Sequence, residues 1–168
     1  IITWCVGHLV TLSYPARDDV KYKEWKEEML PFLPEKYRYQ VIASVKEQYK
    51  VIKKLYNRRD IDVIYYAGDP AREGIYIQSL VRNQAGHYSG AEEKVIWIDS
   101  QTAEEIRKGI AGAKPYADYR NLIASGYERA IEDYATGINL SRILSIRYGR
   151  IANQCAGTKK YRPIAVGR

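Results

Sequence analysis

The stretch Val63-Ile64-Tyr65-Tyr66-Ala67-Gly68-Asp69-Pro70-Ala71-Arg72-Glu73-Gly74 decides how this chain reads. It describes a buried strand running straight into an acidic, glycine-containing turn and then a helix. A carboxylate at the carboxyl end of a strand, beside a helix amino terminus, sits where open α/β sheets bind ligands. Asp69 and Glu73, four residues apart across the turn, are spaced to converge on one hard cation such as Mg²⁺, which prefers oxygen ligands. Arg72 lies between them, and its planar fork of donors suits a phosphate. The competing reading is a plain strand-to-helix turn, with Asp69 as N-cap and Glu73 favourably placed near the positive helix end. Spacing alone leaves both open.

Around that stretch, 168 residues suffice for one domain, or one domain with a small appendage, and a real core. Hydrophobic content of 46% and charged content of 28% are those of a soluble globular protein. No apolar run approaches the roughly 20 residues that span a bilayer, and no basic, then apolar, leader opens the chain. Cys5 and Cys155 are far apart, without metal-ligand spacing, and read as reduced thiols. His8 and His87 have no partners for a zinc site. The net charge of +7 is localised: residues 1–140 balance 20 Lys/Arg with 20 Asp/Glu, so the whole excess falls in the last 28 residues. There Arg142, Arg147, Arg150, Lys159, Lys160, Arg162 and Arg168 meet no acid, the asymmetry of a segment that contacts a polyanion or of a solvated basic tail.

Before the deciding stretch, residues 1–6 (Ile1-Ile2-Thr3-Trp4-Cys5-Val6) are β-branched and aromatic and end at Gly7, the pattern of a strand. Residues 8–38 carry three prolines and apolar side chains such as Trp25 and Phe32, enough to pack down as a covering loop. Ser44 and Glu47 form a capping box, and helical spacing of Val45, Tyr49, Ile52 and Tyr56 predicts an amphipathic helix over 45–58. After the stretch come a helix over 73–83, a strand over 95–98, and a helix from a second capping box at Thr102 to about Ile110. Helices crossing between short strands predict α/β with a mostly parallel sheet flanked by helices. Beyond Pro115 the pattern is helical only, from Asp118 as cap to Arg147, with Gly149 as the stop. The expected organisation is therefore an α/β unit over 1–114 and an all-helical segment over 115–168.

Several pieces together resemble a known family. Thr3-Trp4-Cys5-Val6-Gly7-His8-Leu9, Trp25 with the later Leu30-Pro31, and Ala67-Gly68-Asp69-Pro70-Ala71-Arg72-Glu73-Gly74 are similar to the Toprim domain of type IA DNA topoisomerases, closest to topoisomerase III. Trp97-Ile98-Asp99-Ser100-Gln101-Thr102 resembles that family's Trp-Ile-Ser-Ser-x-Thr passage. Ala135-Thr136-Gly137-Ile138-Asn139-Leu140-Ser141-Arg142 resembles its Gly-Ile-Asn-x-Ser/Thr-Arg segment, and Val166-Gly167-Arg168 the opening of Gly-Arg-Val-Gln-Thr-Pro-Thr. The resemblance implies a bacterial, cytoplasmic, nucleoid-associated isomerase that relaxes negatively supercoiled DNA by Mg²⁺-dependent transient cleavage of one strand through a tyrosine. It implies Asp69 and Glu73 as Mg²⁺ ligands, Arg72 and Glu73 as catalytic residues at the scissile phosphate, and Asn139, Ser141, Arg142 and Arg168 facing single-stranded DNA.

The chain departs from the pattern at definite places. The second acid of the family's triad falls at Ala71, the acid after Arg-Glu-Gly at Ile75, and the arginine before the Trp strand at Val95. The first family strand, with its Glu and Lys, has no counterpart, and none of the 16 tyrosines precedes Pro-Arg-Thr. The expectation is a fragment, a Toprim domain lacking its first strand plus part of the helical domain, inactive without the remaining domains of its parent. Two other readings stand beside it: a catalytically silent Toprim module that binds single-stranded DNA, and a Toprim nuclease or primase-like protein. The Gly-Ile-Asn-x-Ser-Arg segment argues against the latter.

Overall fold

The computed structural model describes residues 1–86, 90–158 and 160–167. In chain order the elements are β1 (Val10–Leu12), α1 (Pro15–Asp18), β2 (Tyr39–Val41), α2 (Lys46–Tyr56), β3 (Val63–Ala67), α3 (Arg72–Ala85), β4 (Glu92–Ile96), α4 (Ala103–Ala111), β5 (Lys114–Pro115) and α5 (Arg120–Cys155). Single 3₁₀ turns lie at Val20–Lys23, Glu27–Met29, Ala43–Val45 and Tyr116–Tyr119. The chain divides into two compact units, Ile1–Thr11 with Tyr39–Glu128, and Leu12–Arg38 with Arg129–Arg168. Among the described residues no helix is long and apolar enough to cross a membrane.

The first unit is α/β. β3 and β4 run parallel with Tyr66 opposite Val95 and Ala67 opposite Ile96, and β5 adds antiparallel to β4, so the sheet is small and mixed. β1 and β2 form a separate two-stranded ribbon. The core builds on Tyr66, Ile75 and Val95, with Ile64, Tyr116, Tyr119, Leu122 and Ile123 packed around them. A fully buried apolar side chain such as Ile75 contributes on the order of 1.5–3 kcal/mol by leaving water. At the margin of that core Arg82 grips the half-buried Glu93 through two parallel bonds, Nε to Oε1 at 2.8 Å and Nη2 to Oε2 at 2.6 Å, while the Tyr66 hydroxyl donates to the same carboxylate. Burial and that carboxylate together push the Tyr66 hydroxyl well above the ordinary phenol range.

Residues 1–6 do not form the expected strand. Ile1 and Ile2 are 79% and 92% exposed, and the segment is held instead by Gln48, whose Nε2 donates to the Trp4 carbonyl at 2.6 Å. β propensity expresses packing against neighbours; the segment that finds a pairing partner is β1, with β2 beside it. The Ser44 capping box also fails. Ser44 lies inside the 3₁₀ turn and α2 opens after Val45 without a side-chain cap. At α4 the cap itself forms, Thr102 Oγ1 accepting from the Glu105 amide at 3.3 Å, while the Glu105 carboxylate takes Lys108.

The second unit is built on α5 from residue 129 onward. The expected stop at Gly149 is overridden, and the helix continues to Cys155. Gly149 is there for space: a Cβ would lie 2.4 Å from the Tyr161 hydroxyl. Three polar side chains on this helix hold an extended run of backbone. Val166 N–H donates to Ser141 Oγ at 2.8 Å, Ile164 N–H to Ser145 Oγ at 2.8 Å, and Arg162 N–H to Asn153 Oδ1 at 2.7 Å.

Candidate functional site

The acidic turn lies in the first unit at the carboxyl ends of the parallel strands. β3 ends at Ala67, and α3 begins at Arg72. The residue at the N-cap position is Ala71, which offers no side-chain oxygen, so Asp69 is not the cap. The Asp69 carbonyl instead accepts from the Ala71 amide at 2.7 Å, a tight turn that leaves the Asp69 carboxylate exposed. Gly74 makes the turn possible. A Cβ there would stand 2.3 Å from the Asp69 carbonyl oxygen, a clash with backbone that cannot swing away. Arg72 and Glu73 are also exposed, in the first turn of α3, where the helix end favours negative charge.

Glu73 has a partner that sequence reasoning missed. His8 Nε2 lies 2.8 Å from Glu73 Oε1. An ionised carboxylate only accepts, so Nε2 carries the proton in this bond. The His8 ring stands edge-on to Tyr76, centroids 6.0 Å apart, which fixes its plane. Read alone, Gly7-His8 is an ordinary turn; only the family resemblance tied it to the acidic stretch. With the side chains 39% and 67% exposed, the pair adds at most about 1 kcal/mol to stability, so its value lies in aiming the carboxylate.

Asp69 and Glu73 offer the oxygen donors that Mg²⁺ takes, and one or two carboxylates completed by water and phosphate suffice for it. Among the described residues no group of three or more His, Cys, Asp or Glu converges as a closed metal cage. By chemistry Asp69 and Glu73 are the two carboxylates available here to a hard cation, and Ala71 adds no ligand.

Three of the other expected contact residues, Asn139, Ser141 and Arg142, lie in the second unit, and each of the three is engaged by the chain's own backbone. Asn139 clamps Phe32, accepting from its amide at 2.6 Å and donating to its carbonyl at 3.0 Å. Ser141 accepts from the Val166 amide. Arg142 is only 3% exposed; its Nη2 donates to the Tyr22 carbonyl at 3.1 Å and its guanidinium lies 5.4 Å from the Trp25 ring centroid. Burial lowers its pKa, and among the described residues its Nε finds no acceptor. Arg168 lies outside the described residues. Of the basic excess near the chain's end, Arg147 is paired with Glu27, while Arg150 and Arg162 are exposed.

Comparison with models of known protein families finds no match. Among curated proteins, DNA topoisomerase 3 of Bacillus thuringiensis is 37% identical over 153 residues, covering 91% of this chain and 21% of that protein. DNA topoisomerase 3 of Staphylococcus epidermidis is 34% identical over 148 residues, covering 88% of this chain and 20% of its own length. The chain thus spans about a fifth of the length of the curated relatives it matches. Along nine-tenths of its length it is similar to a segment of DNA topoisomerase 3, which bears out the resemblance to topoisomerase III-like type IA enzymes carried by its motifs.

Proposed function

We propose that this chain is the Toprim-bearing segment of a type IA topoisomerase whose parent relaxes negatively supercoiled DNA, with the 69–73 turn as its metal and phosphate site. The observation that carries this reading is the placement of three exposed polar side chains, Asp69, Arg72 and Glu73, at the carboxyl end of a parallel strand, with Glu73 aimed by His8. Asp69 and Glu73 would hold Mg²⁺, which when bound neutralises and orients a backbone phosphate. Arg72 presents its fork of donors to that phosphate. His8 occupies one oxygen of Glu73, and the other would serve the metal. In the second unit Asn139, Ser141 and Arg142 shape the surface facing a single strand by fixing the backbone of residues 22, 32 and 166, and exposed Arg150 and Arg162 supply charge. The cleaving tyrosine belongs, on this reading, to another part of the parent.

Ala71 at the position of the second acid favours one further reading, a module that binds single-stranded DNA without metal. One titration separates the two. On the main reading the chain binds a single-stranded oligonucleotide, Mg²⁺ tightens binding several-fold, and Asp69→Asn abolishes that response. Salt-sensitive binding indifferent to Mg²⁺ and to Asp69→Asn selects the metal-free module. No binding at any salt concentration removes both.

A further inference from the structure

Side chains at the end of β4 and just past it alternate between two environments. Val95 joins Tyr66 and Ile75 in the core, while Ile96 and, two residues on, Ile98 press against Gly109 of α4. Trp97 therefore emerges on the Val95 side of the sheet, the side on which α3 packs through Ile75. It stands one residue beyond the Ala67–Ile96 pair, at the strand ends where the acidic turn starts and α3 presents Arg72 and Glu73. Its indole stacks on Tyr119, with centroids 5.5 Å apart and planes 20° from parallel, yet remains 37% exposed. The paired register ends at Ala67–Ile96, and at Gly68 just beyond it the Gln78 side chain of α3 occupies the place a side chain would take.

A large, flat ring, backed on one face by Tyr119 and left partly open to solvent at the strand ends that lead into the acidic turn, is the arrangement that holds a nucleotide by its base. Tyr119 fixes one face of the indole, and the ring spends little conformational freedom when a second planar group stacks on it. Every base has a π-face, so such a contact is sequence-tolerant, and it sets the spacing between a base and its own phosphate.

We propose that Trp97, backed by Tyr119, is a base-stacking platform that seats one unpaired nucleotide with its phosphate at the 69–73 turn. This rests on the single-stranded nucleic acid reading above and adds the residue that positions the base. The expected result is that Trp97→Leu weakens binding of a short single-stranded oligonucleotide about tenfold, within the range of one base–aromatic stack. Trp97→Phe keeps most of the affinity, and neither variant changes the slope of affinity against salt, because stacking releases no counterions. An abasic residue moved along the oligonucleotide costs the wild-type chain a similar factor at one position and costs Trp97→Leu nothing there. Equal affinity of Trp97→Leu and wild type, or an abasic penalty identical in both, overturns the platform. If circular dichroism shows either variant unfolded, the wild-type abasic scan decides alone, a flat profile counting against the proposal. A wild-type chain that binds no oligonucleotide at any salt removes the nucleic acid reading and the platform with it. One that binds but shows a flat scan removes the platform only.

Discussion

The 69–73 turn and the 139–142 stretch carry similar polar residues, and the fold uses them in opposite ways. In the turn the side chains are exposed, and the backbone is fixed by a tight hydrogen bond and by the absence of a Cβ at residue 74. On α5 the side chains are themselves the fixings, with Asn139 on Phe32, Ser141 on Val166 and Arg142 on Tyr22. Polar groups that are already satisfied inside the chain shape a surface; polar groups left in water are available to a ligand. Substitutions should therefore act on ligand binding in the first region and on stability in the second.

The strongest challenge to that division is Gly74→Ala, because in the turn the backbone, unlike the side chains, is structural. A methyl 2.3 Å from the Asp69 oxygen forces the turn apart, at a cost on the order of 3 kcal/mol. Chemical denaturation should show that loss together with loss of any Mg²⁺ response. Stability unchanged by Gly74→Ala would mean the turn is not held as described. Next in size is Asn139→Ala, which strands the Phe32 amide and carbonyl and should lower stability by about 2 kcal/mol. Asp69→Asn, at an exposed carboxylate, should stay within about 0.5 kcal/mol of the wild-type chain in the same measurement. Equal costs for the two would erase the contrast. The smallest effect belongs to Glu27. Its hydrogen bond with Arg147 lowers its pKa from the ordinary 4.5. A lowered carboxylate contributes stability that is complete above its unfolded pKa and lost as pH falls through its folded one. Melting temperatures of wild type and Glu27→Gln should differ slightly at neutral pH and converge as the pH drops below 4.5. A gap that widens in acid would contradict the pairing.

The α/β character, β3, α3, α4 and the long helix were legible because their apolar residues recur at strand or helix spacing. The acidic turn was legible as a motif, but its partner His8 was not, since a contact across 65 residues leaves no local trace. The inner face of α5 misled for a physical reason. From residue 129 onward Arg142, Ser145 and Gly149, spaced three and four apart, are its buried positions, while Leu140, Ile146, Tyr148 and Ile151 are exposed. An amphipathicity argument assigns those roles the other way round. It fails here because the helix faces backbone, which asks for hydrogen bonds and close approach rather than apolar bulk. Residues 1–6 misled through propensity alone, which cannot supply a neighbouring strand.

The backbone run held by Ser141, Ser145 and Asn153 has a consequence for how its sequence can drift. Each of the three side chains also donates to a carbonyl of the residue whose amide it receives, at Val166, Ile164 and Arg162. The grip falls on alternate residues and reads no side chain, so substitutions along the run cost the attachment little, provided the amides at 162, 164 and 166 survive. Proline is the one residue that removes an amide. The native proline stands at 163, between two gripped positions, where none of these three helix side chains takes hold.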